Sequence, residues 1–294
     1  MAGVIRDLRT FAVAANAIFK TALQAQGTED PTAEFTTVVN MTTKRVEFPI
    51  SGNVGPLREW KGGRIIKSVM RDAYEIVARK FEKTIAIGVE DLEDDNLDIY
   101  MPAINMLARQ AARWRGQQMI RAIEANGAGY DQVPFFSATH PERGVNVSNF
   151  TPGANPAWYV LDTNLPVKPF IWGERVAPKL TPRTDPADPF VFDKDEHLWG
   201  VRARGGPGYG LWQGAYKSKS TLDAANFEAA VTQMRLRVDE ESENLDVQPN
   251  LVVVPPQLEF DARRLFGRNT LSTGEENIHN GGIRYVVINR LTGV

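Results

Sequence analysis

Six carboxylates crowd one short stretch of the chain, and carboxylates at this density can hold a divalent cation or carry out acid–base catalysis. They are Glu90, Asp91, Glu93, Asp94, Asp95 and Asp98. A calcium loop needs alternating ligands and a central glycine, and this stretch has neither. Carboxylates at a helix start also stabilise the exposed N–H groups and the positive dipole end, by about 0.3–1 kcal/mol each. A helix start therefore explains the cluster, and a metal-dependent enzyme that uses residues 90–98 is the alternative.

Other side chains suited to catalysis also lack the required sequence context. His140, His197 and His279 have no second histidine or glutamate at the spacing of an H-E-x-x-H zinc site. Ser137 does not lie in a G-x-S-x-G turn. The glycines of residues 205–210 lack the lysine of a phosphate loop. The sequence therefore predicts no catalytic residue, no metal site and no cofactor, and indicates that the protein is not an enzyme.

Arginines cluster in the segment that follows the acidic stretch, at Arg109, Arg113, Arg115 and Arg121, with Arg202 and Arg204 further along. Such a row forms either an ion-paired surface or a sequence-independent contact with packed nucleic acid. The formal net charge of -2 argues against a dedicated DNA-binding module, which would bind tightly and with a steep salt dependence. If the chain contacts DNA, we expect Arg109, Arg113 and Arg121 to face it.

A long helix must position these arginines. Pro102 is tolerated in a first helical turn, which predicts a helix start near Tyr100, and Asn126 with Gly127 predicts its end. One apolar side is predicted, formed by Ile104, Leu107, Ala108, Ala111, Trp114, Ile120 and Ile123.

An N-terminal helix is predicted before it, ending near Gly27. Its apolar residues recur at helical spacing: Val4, Leu8, Phe11, Ala15, Ile18, Phe19, Ala22 and Leu23. This stripe must be covered, either by the chain's own domain or by a neighbouring subunit. Charged residues interrupt the stretch, which is not typical of a secretory signal or a membrane span, so we expect a cytoplasmic product and no membrane partner.

Residues 35–50 read as an extended strand, and residues 51–88 as a long hairpin with two charged, wettable faces. A two-stranded hairpin is marginally stable alone. It therefore either projects as a mobile loop or lies on another molecule.

The remainder of the chain divides into a β-rich part and a compact α/β lobe. Residues 128–220 are rich in turns and short strands, with two strands predicted around a glycine turn at 205–210. Residues 221–294 read as helix, strand, helix, strand, with both strands buried. The chain is 43% hydrophobic and 24% charged, which is ordinary for a folded protein. It has no cysteine, so packing and partners must supply its stability.

In this order, the elements are similar to the Hong Kong 97-like capsid fold of tailed phages. Six stretches in the right order resemble the Mu-like major head subunit family and together cover most of residues 57–266. They are REWKGGR, ARKFEKTIAIGVEDLEDDNLDIY, FFSATHP, WYVLD with VKPFI, GVRARGGPGYGLWQGAYKS, and NLVVVPPQLEFDARRLF.

The resemblance implies an α+β capsid fold: an N-terminal arm and entering strand (1–50), an E-loop hairpin (51–88), an acidic turn with a spine helix (89–127), a β-rich P-domain (128–220) and an α/β A-domain (221–294). It implies a major capsid protein whose pentamers and hexamers form the icosahedral head around double-stranded DNA, with scaffold, portal and decoration proteins as partners. The chain would then be assembled in the host cytoplasm and reside in the virion. Subunit contacts are expected at Phe11, Ile18, Phe19, Trp60, Arg64, Ile66, Arg71, Tyr74 and Arg79.

Overall fold

The structure, a computed structural model, describes residues 8–49, 73–93, 97–142, 144–238, 244–270, 274 and 276–293, without the side chains of 26–29, 93, 97 and 98. Its α-helices are α1 (Leu8–Glu29), α2 (Val89–Glu93), α3 (Leu97–Ala125), α4 (Pro189–Lys194), α5 (Ala224–Arg235) and α6 (Glu259–Phe266). Single 3-10 turns lie at Pro31–Phe35, Trp212–Gly214 and Pro256–Leu258. The strands are β1 (Thr36–Asn40), β2 (Arg45–Pro49), β3 (Ala73–Val77), β4 (Arg79–Gly88), β5 (His140–Glu142), β6 (Val145–Val147), β7 (Phe150–Thr151), β8 (Trp158–Leu161), β9 (Phe170–Arg183), β10 (Glu196–Tyr209), β11 (Ala215–Ser218), β12 (Leu251–Val254) and β13 (Arg284–Val287).

A four-stranded sheet in the order β1-β9-β10-β4 supports the helices α1 and α3. The long strands β9 and β10 pair antiparallel, β4 pairs antiparallel with β10, and β1 pairs parallel with β9. Residues 79–88 thus differ from the expected hairpin, because β4 forms ten register pairs with β10 and belongs to this sheet. The extended segment 35–50 is confirmed, but it divides into β1 and β2, which join different sheets.

The glycines of residues 205–210 do not form the predicted turn, since β10 continues through them to Tyr209. A Cβ atom at Gly206 would lie 2.2 Å from the carbonyl oxygen of Val77, and one at Gly205 would lie 2.7 Å from the indole of Trp172. Glycine is therefore needed here for the close approach of backbone and rings.

A second sheet, ordered β13-β12-β8-β11-β7, lies under α5 and α6. β12 is fully buried, as predicted, but β13 is an edge strand and only partly buried. Because β12 pairs with both β13 and β8, the lobe 221–294 shares its sheet with strands from 128–220. Asp223 caps α5 by accepting a hydrogen bond from the Asn226 N–H at 2.9 Å.

Helix α3 begins at Leu97, earlier than predicted, so Pro102 lies inside it. The predicted end is confirmed by Asn126, which adopts a left-handed φ of 48° directly after the helix. Its amide also accepts from the Phe136 N–H at 2.7 Å and donates to the Phe136 carbonyl at 3.0 Å. The predicted apolar side is buried at Ile104, Leu107, Ala108, Trp114, Ile120 and Ile123.

Helix α1 packs on α3 and on the first sheet. Phe11 and Phe19 are 0% and 3% exposed, and the Phe11 ring contacts Trp199 edge-on at a centroid distance of 5.1 Å. The stripe is therefore covered within the chain at Phe11, Ala15 and Phe19, whereas Ile18 and Ala22 stay partly exposed and Val4 lies outside the described residues. Helix α1 runs past Gly27 to Glu29.

Candidate assembly surfaces

Strands β2 and β3 form a separate two-stranded pair from Arg45–Val77 to Pro49–Ala73. They are joined by residues 50–72, which carry the predicted contact residues Trp60, Arg64, Ile66 and Arg71 and lie outside the described residues. Arg45 donates to Glu75 at 2.9 Å across the pair, on an exposed face. The paired strands are thus the described base of the expected E-loop.

The described members of the predicted contact set differ in their exposure. Tyr74 is partly buried and packs edge-on against Tyr209 at 6.0 Å, and burial raises the pKa of Tyr74 to about 12. Arg79 is exposed on β4, and Ile18 is partly buried on α1. Phe11 and Phe19 belong to the chain's own core, so in this arrangement they present no surface to a neighbour.

The arginines predicted to face DNA, Arg109, Arg113 and Arg121, are all exposed on α3. Arg115 points to the first sheet instead, 4.0 Å from Glu174. Arg175 of β9 lies close enough to Arg204 to interact with it electrostatically, as Arg202 does. The sequence alone did not indicate that Arg175 belongs with this pair. Burial, followed by the charges of Arg175 and Arg202, lowers the pKa of Arg204.

A trough of about 580 Å³ runs between α1 and α3, and periodicity alone could not reveal it. Helix α1 contributes mostly apolar side chains and α3 contributes polar and basic ones: Ala17, Ile18, Thr21, Ala22, Ala25, Asn105, Arg109 and Arg113. We call it the α1–α3 trough. It combines apolar side chains with positive charge, which suits an apolar group surrounded by carboxylates.

The acidic stretch is consistent with a helix start. Glu90 and Asp91 lie in the first turn of α2, whereas Asp94 and Asp95 are outside the described residues and the side chains of Glu93 and Asp98 are not described. A hydrogen bond with Asp91 raises the pKa of Tyr100, which links α2 to α3. Among the residues that the structure describes, no group of three His, Cys, Asp or Glu side chains could hold a metal ion.

His140 has an aspartate partner but not the geometry of a catalytic histidine. Its Nδ1 lies 2.6 Å from Asp131 Oδ2, and its Nε2 lies 3.1 Å from Asn149 Oδ1. The side chain is 0% exposed. Since both nitrogens are occupied in the core, the group holds two loops together and reaches no substrate.

A buried arginine next to this cluster was missed by the sequence analysis, because nothing in its neighbourhood marks it as a core residue. Arg237 follows the exposed Leu236 and turns inward, where its Nη1 donates to the carbonyls of Trp212 at 3.2 Å and of Gln213. Burial lowers the pKa of Arg237 to about 10. The guanidinium therefore ties the end of α5 to the Trp212–Gly214 turn.

Within the described residues, no helix is both long and apolar enough to cross a membrane. The surface features of the described residues are thus the exposed face of the β2–β3 pair, an exposed row of arginines and a trough.

Two curated relatives share most of this chain's length. The chain is 35% identical over 250 residues to the Mu-like prophage FluMu major head subunit of Haemophilus influenzae, covering 80% of this chain and 81% of the relative. It is 31% identical over 284 residues to the major capsid protein of Escherichia phage Mu, covering 90% of this chain and 93% of the relative.

Solved structures agree with these relatives. The procapsid chain of bacteriophage JBD30 superposes with a TM-score of 0.80 at 32% identity, over 95% of this chain and 98% of that one. A chain of the JBD30 capsid decorated with minor capsid protein trimers matches with a TM-score of 0.77 at 23% identity, over 89% of this chain and 91% of that one. At this identity the match supports a shared fold only. The expected capsid fold is thereby confirmed. Since the family model of the Mu-like prophage major head subunit gpT also matches residues 8–291, the chain belongs to that family.

Proposed function

We propose that copies of this chain assemble as pentamers and hexamers into the closed icosahedral head of a Mu-like phage. The observation that supports this most is the likeness to the JBD30 procapsid chain, which extends over 95% of the residues at 32% identity. Such a shell is held together by many weak contacts between subunits, which symmetry repeats at every equivalent position. The proposal requires no catalytic residue.

The β2–β3 pair supports an inter-subunit role for residues 50–72. Its cross-strand residues have alternating burial, and β2 keeps three of its five residues exposed. One face of the pair packs on the chain's own core, where Ile76 is 0% exposed and packs in a cluster with Met41 and Ile171. The opposite, exposed face and the segment that joins the strands remain for a neighbour. We therefore infer that the loop lies on an adjacent subunit, with contacts from Trp60, Arg64, Ile66 and Arg71, while Arg79 and Ile18 contribute from the body of the chain.

Other partners follow from the same role. The shell would enclose double-stranded DNA without sequence specificity, with Arg121 of α3 near the phosphates. Scaffold and portal proteins would act during assembly in the host cytoplasm. Decoration by minor capsid protein trimers is a property of the JBD30 capsid, and we extend it to this shell.

Electron microscopy of the expressed full-length chain tests the proposal, and closed shells are the expected product. Replacing Trp60 and Ile66 by Asp should leave folded subunits that do not close, because the loop would lose its apolar contacts. Val145→Asp is the matched control, since Val145 is 61% exposed on a short edge strand. Normal shells from the Trp60 and Ile66 variant would contradict the role of the loop, and a folded chain that never forms shells would contradict the function.

A further inference from the structure

An exposed aromatic ring stands at the turn between β9 and β10. Phe192 of α4 is 81% exposed, the highest exposure among the large apolar side chains noted in the described residues. A single exposed apolar side chain is common on protein surfaces, so a partner is indicated only by how Phe192 is held and by the charges around it. Burial of the ring by a partner would contribute about 1.5–3 kcal/mol.

The short helix under Phe192 is held firmly at both ends. Asp188 accepts from the Phe190 N–H at 2.9 Å and from Arg183 Nε at 2.5 Å, and this bond with Arg183 lowers the pKa of Asp188. At the other end Asp195 takes a left-handed φ of 51° and donates its N–H to the Val191 carbonyl at 2.9 Å. The Asp195 carbonyl accepts from the Val89 N–H at 3.0 Å. Phe192 is therefore presented from a rigid turn, at a low entropic cost of binding.

Negative charge surrounds this ring. Between Arg183 and Glu196 the chain carries five carboxylates and two basic side chains, and Asp193 and Asp195 are exposed beside Phe192. We call residues 183–196 the acidic tip. Its partner should offer an apolar recess with a basic rim.

The α1–α3 trough offers apolar and basic side chains together. Its volume of about 580 Å³ exceeds that of a phenylalanine side chain, and its lining combines Ala17, Ile18, Ala22 and Ala25 with the polar Thr21 and Asn105 and the basic Arg109 and Arg113. Phe192 cannot occupy the trough of its own chain in this structure, because the ring is exposed.

We propose that the acidic tip of one copy seats Phe192 in the α1–α3 trough of a second copy, with Asp193 and Asp195 facing Arg109 and Arg113. The contact joins two different surfaces and is therefore heterologous, which suits a shell in which each subunit meets several neighbours. It deepens the proposed function and rests on it. Duplex DNA is the less suitable occupant of the trough, because charged phosphates are not stabilised by apolar side chains. Arg121 lies outside the trough and can still contact DNA.

Cysteine pairs test this contact without background, since the natural chain has no cysteine. Shells are assembled from a mixture of full-length Phe192→Cys and Ala17→Cys chains and then mildly oxidised. The expected result is a covalent dimer in the mixed shells that is absent from shells of either variant alone. Ala25→Cys replaces Ala17→Cys if the latter does not assemble.

Three outcomes would contradict the contact without contradicting the shell function. In the first, mixed shells form but contain no covalent dimer. In the second, Phe192→Cys chains alone give a dimer, which would mean that two acidic tips contact each other, and in the third, Phe192→Cys forms an adduct with a decoration protein. Failure of the unaltered chain to form shells would instead count against the proposed function.

Charge reversal is an independent test. Arg109→Glu with Arg113→Glu should reduce shell yield by at least about tenfold, because like charges would face each other at the contact. Adding Asp193→Lys and Asp195→Lys should restore the yield. Arg235→Glu, at an exposed arginine of α5 that lines neither surface, is the matched control and should assemble normally. If the variant with all four substitutions is folded but its shell yield is not restored, the proposed pairing of the aspartates with Arg109 and Arg113 is wrong.

Discussion

The imidazole of His140 lies nearly parallel to the indole of Trp212, with ring centroids 4.0 Å apart and an interplanar angle of 8°. The guanidinium carbon of Arg237 lies 5.2 Å from the centre of the same indole. Three segments distant in sequence therefore meet at one ring: the start of β5, the Trp212–Gly214 turn and the end of α5. This cluster fastens the second sheet to the loops that follow α3.

Asn149 completes the cluster, and its removal should be costly. Its Oδ1 accepts from the Ser137 N–H at 2.7 Å and its Nδ2 donates to the Phe135 carbonyl at 2.7 Å, with the side chain fully buried. Asn149→Ala would leave these groups without partners and should lower the free energy of unfolding by about 2–4 kcal/mol. Denaturant unfolding of the unassembled subunit measures it. Asn155→Ala, at an exposed site, should cost less than about 0.5 kcal/mol, and equal losses in the two variants would contradict the argument.

Helix α1 should behave as part of the core. Phe11→Ala removes a ring that is 0% exposed and should lower the free energy of unfolding by about 3–5 kcal/mol. Val13→Ala, at a position that is 65% exposed on the same helix, should change it by less than about 0.5 kcal/mol. Deleting residues 1–30 would accordingly disturb folding before assembly is reached. A Phe11→Ala subunit as stable as the natural one would show that α1 does not pack as described.

The glycines of β10 should differ sharply in their tolerance of a methyl group. Gly206→Ala places Cβ 2.2 Å from the Val77 carbonyl oxygen, so the backbone must move and the variant should lose about 1–3 kcal/mol or more. In Gly200→Ala the nearest atom is the Thr84 hydroxyl at 3.3 Å, which can shift by a small amount. Thermal unfolding measures the melting temperatures of both variants. Equal melting temperatures for Gly206→Ala and Gly200→Ala would contradict the close contact between Gly206 and the Val77 carbonyl.

Tyr74 should contribute to alkaline sensitivity. Burial raises its pKa from 10 to about 12, so the folded state keeps a proton that the unfolded state releases. This contribution to stability is complete below pH 10 and is lost as the pH rises toward 12. Tyr74→Phe should therefore lose less stability than the natural chain over this interval, as measured by denaturant unfolding at both ends of it. An identical pH dependence in the two proteins would be inconsistent with a buried hydroxyl.

Local patterns predicted the existence of α1, α3, α5 and α6, but not the short helix α4 or the first residue of α3. The 3.6-residue spacing from Ile104 to Ile123 identified the buried side of α3, and Asn126 marked its end, because a left-handed residue there satisfies the last helical carbonyls. These features depend on neighbours within a few positions along the chain, which is the range that sequence spacing can report.

The pairing of the strands could not be predicted from the sequence. Residues 79–88 alternate like a hairpin strand, yet they pair with β10, and the glycines after Arg204 permit close packing rather than a turn. Alternation indicates two faces but not the partner strand, and a glycine is equally compatible with both uses.

The sequence by itself determined the helices α1, α3, α5 and α6, the α+β class, the resemblance to capsid subunits and the absence of a recognisable catalytic motif, since these depend on local spacing and on residue types. Only the tertiary structure decided that α1 is covered by its own chain, that Arg237 and His140 lie buried around Trp212, and that Phe192 and the α1–α3 trough remain open. The reason is physical: burial and exposure depend on which distant segments meet, and those meetings are set by packing across the two sheets rather than by any single stretch of residues.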